Sequence, residues 1–344
     1  MSAATRHRGA RGREGIVLVM VLFFVLLLTA SIATFLRRVA MDAGIASHRD
    51  RARQAEAVAR GGIRLGEVLL LEDLRNKGAA PGPDSQHDVW ALVRGLDLDD
   101  DPDVELRLEI EDAAARVNLN GFLKEGAVDE NGRLYLEQLF AGVVAIMPGR
   151  PEENAYDPAE LALRLADWID ADDVGIDGAP EDEPYARREP PSFPQNRPLL
   201  SVDELRLVEG FDGRLVEALR PFVGVYPLVG GGGINVNTAP PWVLMQLLRG
   251  TDVSGQRPLE EDDVKRIVEA REESLLCAGE TQAPGCMPLA ELLEGEQLAP
   301  TPAERSSVFV VRAIARVVDV ERRIEAVVDR SDPAEPKRLS WRVE

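Results

Sequence analysis

Six carboxylates fall within thirteen residues in the stretch DADDVGIDGAPED, at Asp170, Asp172, Asp173, Asp177, Glu181 and Asp182. Gly175 and Gly178 lie between them and let the backbone fold round on itself. Calcium takes about six to eight oxygen ligands from flexible acidic loops of this kind, so calcium is the expected cofactor. The loop is not an EF-hand, because the twelve-residue spacing and terminal glutamate are missing. The alternative is a solvated acidic loop, which is also the reading of a second cluster at Asp97–Asp103. Asp170 and Asp173 could in principle serve as acid and base. No histidine-paired nucleophile, phosphate-binding glycine loop or metalloprotease motif accompanies them, and all three histidines lie at or before position 87. The expectation is a protein that is not an enzyme.

Sixty acidic residues against forty basic ones, in 344, give a net charge of −20. Such a surface repels phosphate backbones and anionic lipid headgroups and favours cations. Ile16–Leu36 carries no charged residue, and at about 1.5 Å per residue it is long enough as a helix to cross a bilayer once. Arg6, Arg8, Arg11 and Arg13 precede it and hold the amino end in the cytoplasm, which places the rest of the chain in the periplasm. A small-residue cleavage site on the far side, as in an ordinary secretory signal, is missing. Instead Gly15 stands directly before the apolar run, and this order resembles the leader of prepilins and pseudopilins. That resemblance implies cleavage by a prepilin peptidase between Gly15 and Ile16, followed by methylation; the alternative is an uncleaved signal anchor. Cys277 and Cys286 are the two cysteines. Outside the cytoplasm, with no histidine nearby, they read as a disulfide rather than a zinc site.

Proline-free sequence with helical spacing of Ala52, Ala55, Ala59, Ile63, Val68 and Leu70 extends the membrane helix to about Leu74. Gly61, Gly62 and Gly66 interrupt it and imply close packing on a neighbouring element. After a loop at Asn76–Asp88 and a short helical piece near Trp90–Leu96, strict alternation marks a strand at Val104–Glu111. Alternation returns at Val308–Val320, Arg322–Val328 and Arg338–Val343. Strands at both ends with helical sequence between them predict one sheet interrupted by an insertion. Helix starts are expected at Asp157, at Ser201 with Glu204 as a capping box, after Gly210–Gly213, at Thr238 before Pro240 and Pro241, and at Glu260. VNLN at Val117–Asn120 and INVN at Ile234–Asn237 form a weak internal repeat whose asparagines can satisfy local backbone donors; chance recurrence is the alternative.

In order along the chain, Gly15, the Ala-rich helix to Gly61–Gly62, ARVNLN, DWIDADD, RPLLSVDELRLVEGF, INVNTAPPWVL and the closing strands resemble the K-type minor pseudopilins of the type II secretion system. The resemblance implies an α+β, pilin-like fold. In it a long N-terminal transmembrane and amphipathic helix joins a small antiparallel sheet, interrupted by a large inserted α-helical domain of SAM-like or helix-hairpin-helix-like type. On this plan residues 1–15 are the leader, 16–75 the long helix with 16–36 in the membrane, 76–120 plus 301–344 the β domain, and 121–300 the insertion. Counting from Ile16, the fifth mature residue is Met20, where most pilins carry glutamate. The resemblance implies a place at the pseudopilus tip with the I-type and J-type minor pseudopilins, and calcium in the helical domain. A second reading is a helix-hairpin-helix DNA-uptake protein, since ELRLVEGFDGRLVEALRPFV resembles such a unit. Glu209 and Asp212 in its hairpin, and the scarcity of lysine, argue against nucleic acid.

Overall fold

The computed structural model describes residues 14–344 except 79–81, 95–100, 176–177, 179, 232, 251–255 and 279–284. The leader before Glu14, Asp177 and Asp97–Asp100 therefore lie outside the described residues. Helix α1 (Glu14–Lys77) continues without a break from the apolar run into the globular part. Among the described residues it is the helix long and apolar enough to cross a membrane. Residues 16–50 are exposed along its whole circumference, and burial begins around Arg51.

The outer half of α1 lies on a four-stranded antiparallel sheet of β1 (Val104–Asp112), β2 (Val308–Val317), β3 (Val320–Asp329) and β4 (Lys337–Val343), in that spatial order. Registers run from Val104 opposite Val317 to Asp112 opposite Phe309, so strands nearly two hundred residues apart pair end to end. Ala59, Ile63 and Leu70 of α1 meet Leu108, Ile110, Val311, Ala313, Ile324 and Ala326 in one core. A short helix, α2 (Val89–Leu92), adds Trp90, whose ring sits 4.9 Å from that of Phe309.

The glycines of α1 divide by what they face. A Cβ on Gly66 would stand 2.6 Å from Val311 Cγ1, and one on Gly62 would stand 2.9 Å from Ala313 Cβ. Both distances are too short for any side chain, so these glycines let the helix backbone settle on the sheet. Gly61 faces open space, contrary to the expectation that it too packs closely. Arg330, at the end of β3, ties down the same helix by reaching Asp73 at 2.8 Å and pairing with Asp84.

Between β1 and β2 the chain builds a second core from helices α3 (Glu130–Ile146), α4 (Pro158–Ile169), α5 (Glu183–Ala186), α6 (Gly213–Leu219), α7 (Pro241–Leu244), α8 (Glu261–Glu273) and α9 (Leu289–Leu292). Val117 and Leu119 already belong to this core. The region also holds short two- and three-residue strands that alternation could not reveal. Two expected helix starts take another form. Residues Val202–Leu207 form a 3-10 helix, with no cap from the Ser201 side chain, because Glu204 turns inward to accept from Leu200 N at 2.9 Å and to pair with Arg197 at 3.1 Å. Thr238 does not cap α7; its hydroxyl donates to Asp112 Oδ2 at 2.6 Å.

The VNLN and INVN segments are equivalent in structure. Asn118 and Asn235 each accept the backbone N–H two residues on, at 3.1 Å in both cases. Asn120 bridges both backbone groups of Leu199, and Asn237 bridges both of Leu276, at 2.8 to 2.9 Å. Each segment also pairs in parallel with a later one, Val117–Asn118 with Val223–Gly224 and Asn235 with Ala303. Buried amides that satisfy buried backbone groups at two matched places make the insertion a doubled unit. Asp112 joins it to the sheet, accepting from Ala114 N, Asn235 Nδ2 and Thr238 Oγ1; burial raises its pKa.

Candidate functional site

Helix α4 positions the acidic loop. Asp157 caps it by accepting from Ala159 N and Glu160 N, Pro158 opens the first turn, and Leu161, Leu165, Trp168 and Ile169 bury one face. That face carries Asp167 and the C-terminal Asp170 inward, to 3% and 5% exposure. A bridge between Val174 and Pro180 turns the chain back and delivers Glu181, 3% exposed. Carboxylate oxygens of Asp167, Asp170 and Glu181 all lie within 4.8 Å of one another.

Among the described residues, neither oxygen of Glu181, nor Oδ1 of Asp170, has a hydrogen-bond partner. Arg164 reaches Asp167 at 3.9 Å while holding Glu160 at 2.7 Å. Burial, aided by Asp172 and Asp167, pushes the Asp170 carboxyl up to about 7. Burial and the surrounding carboxylates, Asp170 foremost, push Glu181 up to about 8. Three buried carboxylates gathered with so little positive charge are costly unless protonated or bound to a cation. The donor set is all oxygen, which fits calcium.

A second acidic group shows the contrast. Asp73, Asp84 and Asp88 also converge within 4.8 Å, but Lys77 Nζ stands 3.2, 2.6 and 2.6 Å from them, and Arg330 joins two of the three. That group carries its own cations and has no need of a metal.

Of the residues expected to bind calcium, Asp170 and Glu181 meet in the cluster. Asp172 and Asp173 are exposed beside it and turned to local work: Asp172 accepts from Val174 N at 2.9 Å and Asp173 from Asn196 Nδ2 at 2.9 Å. Both still raise Glu181 electrostatically. Asp182 is exposed at the N-cap of α5, outside the three converging groups. Asp167 was not among the expected ligands. Its place three residues before Asp170 on a helix, hence on the same face, is the sequence signal for it.

Gly15 and Ile16 lie within the first turns of α1, and Met20 is exposed on it. Cys277 and Cys286 are bonded, linking the parallel strands Leu275–Cys277 and Cys286–Pro288 beside the Asn237 clamp. In the hairpin before α6, Asp212 accepts from Leu215 N and Glu209 pairs with Arg188, so its carboxylates stand where a DNA-binding unit needs cations.

Among curated proteins, "Type II secretion system protein K" of Pseudomonas aeruginosa is 33% identical over 270 residues, covering 76% of this chain and 73% of that protein. The chain belongs to the type II secretion system protein K family. The family profile described as "Type II secretion system (T2SS), protein K" matches residues 115–228, the span from the VNLN clamp through α6. The protein of the same name from Klebsiella pneumoniae is 30% identical over 215 residues, covering 61% of this chain and 62% of its own length. The GspK-GspI-GspJ complex from the enterotoxigenic Escherichia coli Type 2 Secretion System contains a chain with the same fold, at TM-score 0.59 and 19% identity, covering 86% of this chain and 99% of that one. Members of the family are minor pseudopilins, and membership disfavours the DNA-uptake reading.

Proposed function

We propose that this minor pseudopilin sits at the tip of the type II secretion pseudopilus, as a structural and assembly-initiating subunit without catalytic activity. The observation that carries the reading is α1: residues 16–50 are exposed all round, an apolar and then mixed surface that needs lipid before assembly and neighbouring helices after it. The precursor is anchored once in the inner membrane through Ile16–Leu36, with its amino end cytoplasmic and its globular part periplasmic. Prepilin peptidase cuts between Gly15 and Ile16. Met20 offers no carboxylate to the terminal amine of a following subunit, which suits a position beyond which none is recruited.

The partners are the I-type and J-type minor pseudopilins, in keeping with the complex in which the similar solved chain was found. Calcium is the cofactor, held by Asp167, Asp170 and Glu181 with Asp172 and Asp173 at hand; when bound it would supply positive charge beside Asp170 and Glu181. Its task is structural, to close the loop between α4 and α5.

Co-purification of the full-length chain in detergent with the I-type and J-type subunits of the same organism tests the reading. A stable complex is expected, and its absence refutes the tip assignment. N-terminal sequencing of the mature chain should begin at Ile16. Calorimetry after chelation should show heat on adding calcium at millimolar concentration or below; none would remove the metal.

A further inference from the structure

Strand β4 ends the sheet, pairing with β3 on one side, whereas β1 at the other edge is flanked by α2. Arg323 and Glu344 exchange both backbone bonds, at 3.2 and 2.9 Å. Antiparallel alternation then directs the backbone groups of Arg342 and Ser340 toward β3, and those of Val343 and Trp341 outward. Natural edges are commonly blunted by a bulge. Here the edge strand carries its bulge at Leu339, between the Val327–Ser340 and Val328–Arg338 pairs, and Ser340–Val343 beyond it keep regular register.

The side chains at this edge sort by face. Trp341 lies opposite Ala326 and Val343 opposite Ile324, two residues of the core under α1. They therefore form an apolar ledge on the helix side, 36% and 45% exposed, with Arg338 stacked over Trp341 and paired to Glu67 of α1. On the other face Arg342 is exposed, stands opposite Glu325 and acts electrostatically on Asp203, but forms no hydrogen bond or ion pair within 4 Å among the described residues. All charged residues of β4 are basic, Lys337, Arg338 and Arg342, in a chain whose net charge is −20.

We infer that β4 is a docking edge for an extended, acidic strand of a partner subunit, added to the sheet as a fifth strand. Its backbone pairs with Val343 and Trp341. Its apolar residues cover the Trp341–Val343 ledge, and its acidic residues, on the opposite face, meet Arg342. The inference rests on the tip reading, in which this chain is held by other minor pseudopilins.

The test uses the full-length chain in detergent with the I-type and J-type subunits of the same organism. Hydrogen exchange in the complex should slow at the Trp341 and Val343 amides by at least about tenfold relative to the free chain. Val343→Pro removes an outward N–H without breaking a bond to β3, and Arg342→Glu reverses the charge. Each should weaken the complex by about tenfold, and Arg107→Glu at the opposite edge should not. A complex that forms while the Trp341 and Val343 amides exchange as in the free chain overturns the docking edge and leaves the tip reading intact. Failure of the wild-type chain to form any complex overturns both. Protection of the same amides in the isolated chain, with a dimer in sedimentation, would seat a second copy there and overturn the proposal.

Discussion

Replacing Glu181 by glutamine keeps the shape of a buried side chain and removes its charge, and the sign of the effect should depend on pH and calcium. In the native chain without metal this carboxyl is held at about 8, against 4.5 for an ordinary glutamate, by burial and then by Asp170, Asp167 and the neighbouring aspartates. The folded value is the higher one, so the native state favours the proton and loses stability as pH rises from the ordinary value through about 8. The full difference corresponds to about 5 kcal/mol. Part of it is repulsion shared with Asp170, itself raised to about 7, so about 2–4 kcal/mol is expected for Glu181→Gln alone. In chelator near pH 9 the variant should be the more stable protein by that amount; near pH 5, where Glu181 is protonated, the two should agree within about 1 kcal/mol. Calcium at about a hundred times its dissociation constant should stabilise the wild type by about 2.7 kcal/mol and the variant much less, offsetting most or all of the variant's advantage. Urea unfolding of the full chain in detergent, followed by tryptophan fluorescence, reads this out, because Trp168 packs on Tyr185 at 5.2 Å beside the cluster. A variant less stable than wild type in chelator at high pH, or a calcium response unchanged by the substitution, would refute the reasoning.

Gly66→Ala should destabilise the packing of α1 on the sheet by about 1–2 kcal/mol, the overpacking against Val311 outweighing better helix propensity, whereas Gly61→Ala should stabilise by up to about 1 kcal/mol; thermal unfolding compares them. Asn120→Ala and Asn237→Ala should each cost about 2–4 kcal/mol, since each leaves the N–H and C=O of a buried leucine unmatched, and hydrogen exchange at Leu199 or Leu276 should rise in the matching variant alone. Arg330→Leu should cost about 3–5 kcal/mol by stripping Asp73 and Asp84 of a buried partner, read as a fall in the denaturant midpoint.

Much of the architecture is legible in local pattern. Alternation at Val104–Glu111 and at the closing strands marks the sheet, because one face of each strand is buried and the other wet. The apolar run and its Ala-rich continuation mark α1, and Asp157–Pro158 marks the start of α4. Capping chemistry was less reliable. Ser201 and Thr238 have the residue types of helix caps, yet Glu204 turns back to Arg197 and Leu200 N, and Thr238 is drawn to Asp112 in a contact that no local window contains. The short strands of the insertion are too brief for any period to register.

By itself the sequence determined the membrane anchor, the interrupted sheet, the acidic loop and the single possible disulfide, because each depends on composition or on spacing within one element. The tertiary structure alone decided which acids converge. Asp167 joins Asp170 and Glu181 because α4 buries that face and the Val174–Pro180 bridge folds the loop back, while Asp172, Asp173 and Asp182 stay at the surface. It also decided which acidic cluster carries its own cations, since Arg330 comes to Asp73 and Asp84, and Asp84 and Asp88 come to Lys77, through the fold rather than through helical spacing. Charge neutralisation is a matter of distance in space, and distance in space is what folding supplies.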